Sequence, residues 1–152
     1  MLFVLVQSQP VERTEERTGE EMKLLLFMSG TDEVGERLQR IVEAAVPKTD
    51  VEICRTIDRL SYVLRRYSTE IAIAILSASS ANELLDFLSI GDLLEDMRII
   101  LVLPDRDNNT IANAHILRPR FLTYVDSDFA EVIAVLKKML GNYDPNKTFG
   151  RW

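Results

Sequence analysis

Three small or hydroxyl-bearing residues, Ser29, Gly30 and Thr31, follow an apolar run and precede a helix-like pattern. Backbone amides in such a strand-to-helix turn can hold a phosphate group, because they lie at the positive end of a helix dipole. The turn matches neither the dinucleotide-binding nor the P-loop spacing, and the acidic pair after it would repel a phosphate. We predict these three residues as candidate ligand-binding positions, with a purely structural turn as the alternative.

Four aspartates follow the fourth and fifth predicted strands, and their carboxylate oxygens could hold a cation. They are Asp105, Asp107, Asp126 and Asp128. If the two strands are neighbours, these acids gather at one edge of the sheet. Turn and helix-capping chemistry explains the same residues without a metal, because aspartate accepts hydrogen bonds from amides in both settings. No full ligand set is legible, so we predict no metal site.

Candidate nucleophiles and bases are few in this chain. Ser77, Ser79 and Ser80 lie where a strand gives way to a helix, and a turn with a helix cap explains them. Cys54 is the only cysteine and lies in an alternating apolar run, which predicts a small buried side chain. His115 is the only histidine, and no partner for acid–base chemistry is evident. We predict no catalytic residue, no cofactor and no enzymatic activity.

The overall charge indicates which partners the chain can bind. It carries a net charge of −6 over 152 residues. Binding to a nucleic acid backbone requires a basic surface, so we expect no nucleic acid partner. No apolar run approaches the roughly 18–20 residues of a membrane span, so we expect no membrane association and a cytoplasmic location.

The chain divides into three parts by composition. Residues 1–21 form an arm, in which a strand-like segment Leu2–Val6 precedes the densely charged stretch 11–21. The strand-like segment is predicted to add a strand to the chain's own sheet or to a neighbour's free edge. The alternative is that the fold effectively begins at Met22 and that the arm is an accessory. Residues 22–141 form one regular domain, and residues 142–152 form an irregular tail.

From residue 22 onward, apolar strand patterns alternate with amphipathic helix patterns five times. Strands that alternate with helices are mostly parallel, and the helices cover both faces of the sheet. The economical arrangement is a flavodoxin-like three-layer α/β sandwich with a five-stranded parallel sheet of order 2-1-3-4-5.

Cap signals place the helix ends. The predicted N-caps are Asp58 for the second helix, Ser80 for the third and Asp128 for the last. Glu83 and Glu131 stand at the reciprocal positions of two capping boxes. A short helix is predicted over Ile111–Leu117, and Gly141 is predicted to end the last helix.

The element order, the element spacing and the terminal stretch 125-VDSDFAEVIAVLKKML-140 resemble those of response-regulator receiver domains. The resemblance covers roughly Met22 to Leu140. It implies an acidic pair after strand one that holds Mg²⁺ and a phosphate-accepting aspartate at the end of strand three. It also implies a serine or threonine at the end of strand four and a lysine at the end of strand five.

All four of these features are absent from the positions where the resemblance places them. The four strand ends read Met28-Ser29-Gly30, Ile75-Leu76-Ser77-Ala78, Val102-Leu103-Pro104 and Tyr124-Val125-Asp126. The chain therefore resembles a degenerate receiver, or pseudo-receiver, that lacks the phosphoacceptor site, and phosphorylation of the usual kind is not expected.

The last helix carries a broad apolar arc, and receivers commonly use the face beside their fifth strand for dimer and partner contacts. We therefore predict Tyr124, Val135 and Met139 as an interaction face, with a homodimer and an unidentified protein partner.

The predicted function is a non-catalytic signalling or protein-interaction module. Two alternatives remain: a nucleotide- or flavin-binding protein, or enzyme, of flavodoxin-like fold, and a serine-phosphorylated switch similar to sigma-factor antagonists, centred on Asp126-Ser127.

Overall fold

The computed structural model describes residues 23–30, 33–46, 51–67 and 69–142. The strands are β1 Lys23–Met28, β2 Val51–Cys54, β3 Ile71–Ser77, β4 Arg98–Leu103 and β5 Phe121–Tyr124. The helices are α1 Glu33–Ala45, α2 Ile57–Tyr67, α3 Ala81–Ser89, the short α4 Gly91–Leu94, α5 Asn108–Ile116 and α6 Ala130–Asn142. The predicted arm 1–21, including Leu2–Val6, lies outside the described residues, as does the tail beyond residue 142.

The five strands form one parallel sheet in the order β2-β1-β3-β4-β5. This confirms the predicted α/β fold with a 2-1-3-4-5 sheet. Because parallel strands require crossover connections, the helices pack on both faces, and all five strands end at the same edge of the sheet. That carboxyl edge is where open α/β sheets place their sites.

The continuous apolar composition of β1 follows from burial on both of its faces. Leu25 and Phe27 belong to the core cluster under α2, α3, α4 and α5. Leu24, Leu26 and Met28 belong to the second cluster, under α1 and α6. Successive side chains of a strand point to opposite faces, so this strand contributes to both cores at once.

An aromatic pair joins β1 to α3 in the first core. The rings of Phe27 and Phe87 meet edge to face, with centroids 5.2 Å apart and planes at 89°. Both residues have no solvent exposure. This arrangement places the positive edge of one ring against the negative face of the other.

The outer strands are shorter than the inner ones. The strands β2 and β5 have four residues each, whereas β1, β3 and β4 have six or seven. Within the described ranges, β2 pairs only with β1 and β5 only with β4. None of the described helices combines the length and the apolar character needed to cross a membrane.

The third helix begins as predicted, whereas the second does not. The Ser80 hydroxyl accepts a hydrogen bond from the Glu83 amide at 3.2 Å, which confirms this cap. The predicted Asp58 cap is wrong, because the helix α2 already begins at Ile57. Thr56 takes the role instead, and its hydroxyl accepts from the Arg59 amide at 3.1 Å.

Two further helix predictions are wrong by one to three residues. The helix α5 begins at Asn108 rather than Ile111, because the Asp107 carboxylate caps it through the Asn109 amide. The last helix continues through Gly141 to Asn142, so the predicted stop at Gly141 is wrong.

Candidate functional site

The carboxyl edge of the sheet carries a shallow depression of about 120 Å³ at the ends of β1 and β3. Met28 at the end of β1 pairs with Ser77 at the end of β3, and Ser77 pairs with Val102 of β4. This register brings the loops after three strands together. We call this site the edge depression; its lining residues are Met28, Ser29, Gly30, Val34, Gly35, Ser77, Ser79, Pro104 and Val125.

Hydroxyl groups provide most of the polar side-chain surface in the edge depression. The Ser29 and Ser79 hydroxyl oxygens lie 3.4 Å apart. The amide and hydroxyl of Ser79 donate to the Glu83 carboxylate at 2.8 Å and 3.0 Å. Glu83 therefore reaches Ser79 rather than the Ser80 amide that a capping box predicts. Ser77 is buried, with 6% of its surface exposed.

The structure places two of the three predicted ligand-binding residues in this depression. Ser29 and Gly30 line it, whereas Thr31 lies outside the described residues. The Gly30 carbonyl accepts a hydrogen bond from Arg55 at 3.2 Å, which joins the turn after β1 to the end of β2. Ligand binding by these residues remains a prediction.

The described lining of the edge depression consists of apolar, glycine, proline and serine residues, and none of these has an ionisable side chain. Pro104 stands directly after β4, and Val125 stands directly after β5. Glu33 is exposed at the first position of α1, where a carboxylate favours the helix dipole. Among the described residues, no three histidine, cysteine, aspartate or glutamate side chains are grouped so that they could hold a metal ion.

The four aspartates of the carboxyl edge have local partners. The strands β4 and β5 are neighbours as predicted, and the Asp126 carboxylate accepts two hydrogen bonds from Arg106 at 2.8 Å and 3.1 Å. These hydrogen bonds hold the pKa of Asp126 below its ordinary value. Asp105, Asp107 and Asp128 accept from backbone amides two residues ahead, as aspartates in turns do.

Arg106 also stacks on an aromatic ring at this edge. Its guanidinium carbon lies 4.0 Å from the centroid of Tyr124, which is one of the residues of the predicted interaction face. We call Arg106, Tyr124 and Asp126 the Arg106 cluster. Its ion pair is largely exposed, so it adds little stability.

The Arg37 side chain connects α1 to the loop between β5 and α6, a contact that no pattern in the sequence predicts. It donates to the Ser127 carbonyl at 2.8 Å and, at 3.4 Å, to the Val125 carbonyl. Its guanidinium carbon lies 4.8 Å from the centroid of Phe129. We call these contacts the Arg37 bridge. They hold the loop that forms one wall of the edge depression.

The same loop explains why Asp128 is not the N-cap of α6. Phe129 occupies the cap position with a φ of 64°, which is unusual for a residue with a side chain. The Ser127 hydroxyl accepts from the Phe129 amide at 3.1 Å, and the Asp128 carboxylate accepts from the Ala130 amide at 3.0 Å. The predicted cap is therefore corrected by one residue, because two side chains share the capping of this turn.

The residues of the predicted interaction face differ in exposure. Tyr124 and Val135 are half-buried, and Val135 packs against the second core. Met139 is buried, with 8% exposed, so it adds little to an exposed margin. The prediction of this face therefore depends mainly on Tyr124.

The two remaining chemical candidates have ordinary surroundings. Cys54 is fully buried, as predicted. Burial, and to a smaller extent the nearby negative charge of Glu52, raises the pKa of the Cys54 thiol to about 11. The thiol is therefore neutral at physiological pH and a poor nucleophile. His115 is exposed on α5.

Comparison with known proteins gives a fold but no sequence family. No protein family profile and no curated protein sequence matches the chain. A putative pilus assembly-related protein from Burkholderia pseudomallei superposes with a TM-score of 0.59 at 14% identity, covering 86% of this chain and 98% of that one. A two-component response regulator from Legionella pneumophila superposes with a TM-score of 0.58 at 11% identity, covering 78% and 98%.

A third solved structure, a phosphorylated cyanobacterial phytochrome response regulator, gives a TM-score of 0.50 at 9% identity, with coverage of 84% and 97%. Identities this low establish the fold alone. The chain therefore has the α/β fold of response-regulator receiver domains, as predicted.

Proposed function

We propose that this chain is a non-catalytic receiver-like signalling or protein-interaction module that is not phosphorylated at a conventional aspartate. The observation that supports this most is the lining of the edge depression, which contains no ionisable side chain among the described residues. Phosphoryl transfer requires cations to neutralise the developing charge, and a carboxylate is needed to hold Mg²⁺. The receiver-like fold supports a signalling role for a chain without that chemistry.

The direct test is a phosphorylation assay. The purified chain is incubated with acetyl phosphate, with Mg²⁺ and separately with a chelator, and its intact mass is measured. We expect the same mass in both reactions. A mass increase by one phosphoryl group that requires Mg²⁺ and is reversed by hydroxylamine, which cleaves acyl phosphates, would contradict the proposal.

The homodimer is the second part of this proposal, and the Arg106 cluster supports it. Tyr124 is half-buried, and the Arg106 guanidinium carbon lies 4.0 Å from its ring centroid, so part of the ring can contact a partner. Aromatic side chains have few rotatable bonds and therefore lose little conformational entropy on association. Sedimentation velocity should find a dimer, and Tyr124→Ala should weaken it. The control Tyr62→Ala changes an exposed tyrosine on α2 and should leave the dimer intact. Sedimentation of the unmodified chain as a concentration-independent monomer would rule the homodimer out.

The size of the edge depression counts against the nucleotide or flavin alternative. Its volume is about 120 Å³, whereas sites for ligands of that size enclose roughly 300–1,000 Å³. A thermal-shift series with nucleotides, flavins and divalent cations distinguishes the two functions. A ligand that binds only the native state must raise the unfolding temperature, so a clear stabilisation would favour the alternative.

The serine-switch alternative is disfavoured by the surroundings of Ser127. Its hydroxyl lies 3.2 Å from the Thr123 hydroxyl and accepts from the Phe129 amide. Its acidic neighbour Asp126 is paired with Arg106. A kinase would have to open this turn before it could reach the hydroxyl.

The similarity to the putative pilus assembly-related protein suggests a setting for an interaction module. We extend the proposal to a role in an assembly of proteins, where a receiver-like domain contributes binding surfaces rather than phosphotransfer. Its support is the shared fold over 98% of that protein's chain.

A further inference from the structure

The outer face of α2 carries a charge opposite to that of the chain as a whole. The helix residues Ile57–Tyr67 contain three arginines and one aspartate, whereas the whole chain carries a net charge of −6. A shallow depression of about 570 Å³ lies along this face. We call its lining the α2 patch, which consists of Asp58, Ser61, Tyr62, Arg65 and Arg66.

The cations of the α2 patch retain unused hydrogen-bonding capacity. Arg65 and Arg66 are exposed in the last turn of the helix, and Tyr62 is 49% exposed. Arg66 lies 5.8 Å from the Tyr67 ring centroid, and Arg65 has no carboxylate partner among the residues described. Each guanidinium can bind a carboxylate by donating two parallel hydrogen bonds to it. The chemistry of the patch therefore fits an acidic peptide segment.

The sheet register places the start of β1 near the basic end of α2. Because α2 connects the carboxyl end of β2 to the amino end of β3, its last turn lies at the amino edge of the sheet. Arg66 is five residues before Ile71, which pairs with Lys23. Five residues span at most about 18 Å, and neighbouring strands are about 4.8 Å apart. Lys23 therefore lies within about 23 Å of Arg66.

The chain that enters β1 is acidic. The segment 15-EERTGEE-21 contains four glutamates and one arginine. Glu15 and Glu16 precede Lys23 by eight and seven residues, which allows a reach of about 23–29 Å. The segment is therefore long enough to bring its carboxylates to Arg65 and Arg66.

We propose that the acidic segment 15–21 binds the α2 patch of the same molecule. Opposite charge and a short covalent connection act together, because a short linker gives an effective concentration in the millimolar range. The contact covers the exposed Tyr62 ring and supplies carboxylates to the two arginines. This inference is independent of the proposed function.

Disulfide trapping in the full chain tests the contact. Thr14→Cys places a thiol directly before the acidic segment without changing its charge, and Ser61→Cys places the second thiol in the α2 patch. Thr14 precedes Lys23 by nine residues, which allows a reach of about 30–32 Å. The matched control pairs Thr14→Cys with Ala134→Cys, at an exposed position of α6 on the opposite face of the sheet. The native Cys54 is buried and should remain unreactive. Circular dichroism verifies that both double variants are folded.

We expect the intramolecular disulfide to form at least about tenfold faster with Ser61→Cys than with Ala134→Cys, because the contact raises the effective concentration of the two thiols. About 0.5 M NaCl should reduce this ratio by screening the charges. Adding Arg65→Gln and Arg66→Gln should reduce it further. Equal rates for the two pairs, faster trapping at Ala134→Cys, or disulfides formed only between molecules would each overturn the proposal.

Discussion

The Arg37 bridge can be tested by the change Arg37→Met, which keeps much of the unbranched aliphatic stem and removes the guanidinium. The stem should continue to pack against the loop, so the loss reports mainly on the polar contacts. Those contacts are the 2.8 Å hydrogen bond to the Ser127 carbonyl, the weaker one at 3.4 Å to the Val125 carbonyl, and the ring of Phe129 at 4.8 Å.

The expected loss of stability follows from these distances. A hydrogen bond from a charged group contributes about 1.5–3 kcal/mol, and a cation over an aromatic ring adds about 0.5–1 kcal/mol at an exposed site. The 3.4 Å contact lies outside the ordinary range for N–H···O bonds and adds little. Because Arg37 is half-buried, water can replace part of the lost bonding, so we expect a loss of about 1.5–3 kcal/mol.

Urea unfolding followed by circular dichroism measures this loss as a lower midpoint at an unchanged slope. For a chain of this size the melting temperature should fall by about 3–12 °C. The matched control is Arg40→Met on the same helix, because Arg40 is exposed and should cost no more than about 0.5 kcal/mol.

Salt distinguishes this bridge from an ordinary surface ion pair. The acceptors of Arg37 are neutral carbonyls, so the difference between Arg37→Met and the unmodified chain should persist at about 0.5 M NaCl. Equal stabilities for the Arg37 and Arg40 variants, or a difference that salt abolishes, would refute the reasoning.

Three other predictions concern the core, the cap of α3 and the buried thiol. Phe87→Ala should cost about 3–5 kcal/mol in urea unfolding because it leaves a cavity beside Phe27, whereas Leu85→Ala on the exposed side of the same helix should cost far less. Ser80→Ala should cost about 0.5–2 kcal/mol by removing the hydroxyl that accepts from the Glu83 amide, with the exposed Asn82→Ala as its control; equal effects would contradict the capping role. Cys54 should not react with a thiol reagent in the native state. Because the pKa of its thiol is raised to about 11, the stability that this group contributes should be lost as the pH rises from about 9 through 11, a loss that Cys54→Ala should abolish.

The parts of the fold that sequence could predict are those fixed by local patterns. The apolar run of β1 predicted a strand covered on both faces, and the alternation of elements predicted the order of the sheet. The Ser80 cap was predictable because its partner Glu83 is only three residues away.

The parts that sequence could not predict depend on contacts between distant residues or on competing local groups. Arg37 contacts carbonyls 88 and 90 residues further along the chain, and backbone carbonyls leave no sequence signal. At the start of α6, Ser127 and Asp128 both offer oxygen acceptors, and their sequence does not determine which amide each one takes. The position of the edge depression follows from the predicted fold, whereas its small volume depends on how the surrounding side chains pack.

The short outer strands limit how molecules of this chain can associate. A sheet grows by pairing free backbone groups at its edges, and within the described residues β2 and β5 each offer only four residues for such pairing. Addition of a neighbour's strand at either side would therefore form few backbone hydrogen bonds. An assembly formed through the helices would instead depend on side-chain contacts, so its specificity should change with single substitutions, whereas backbone pairing is largely insensitive to them.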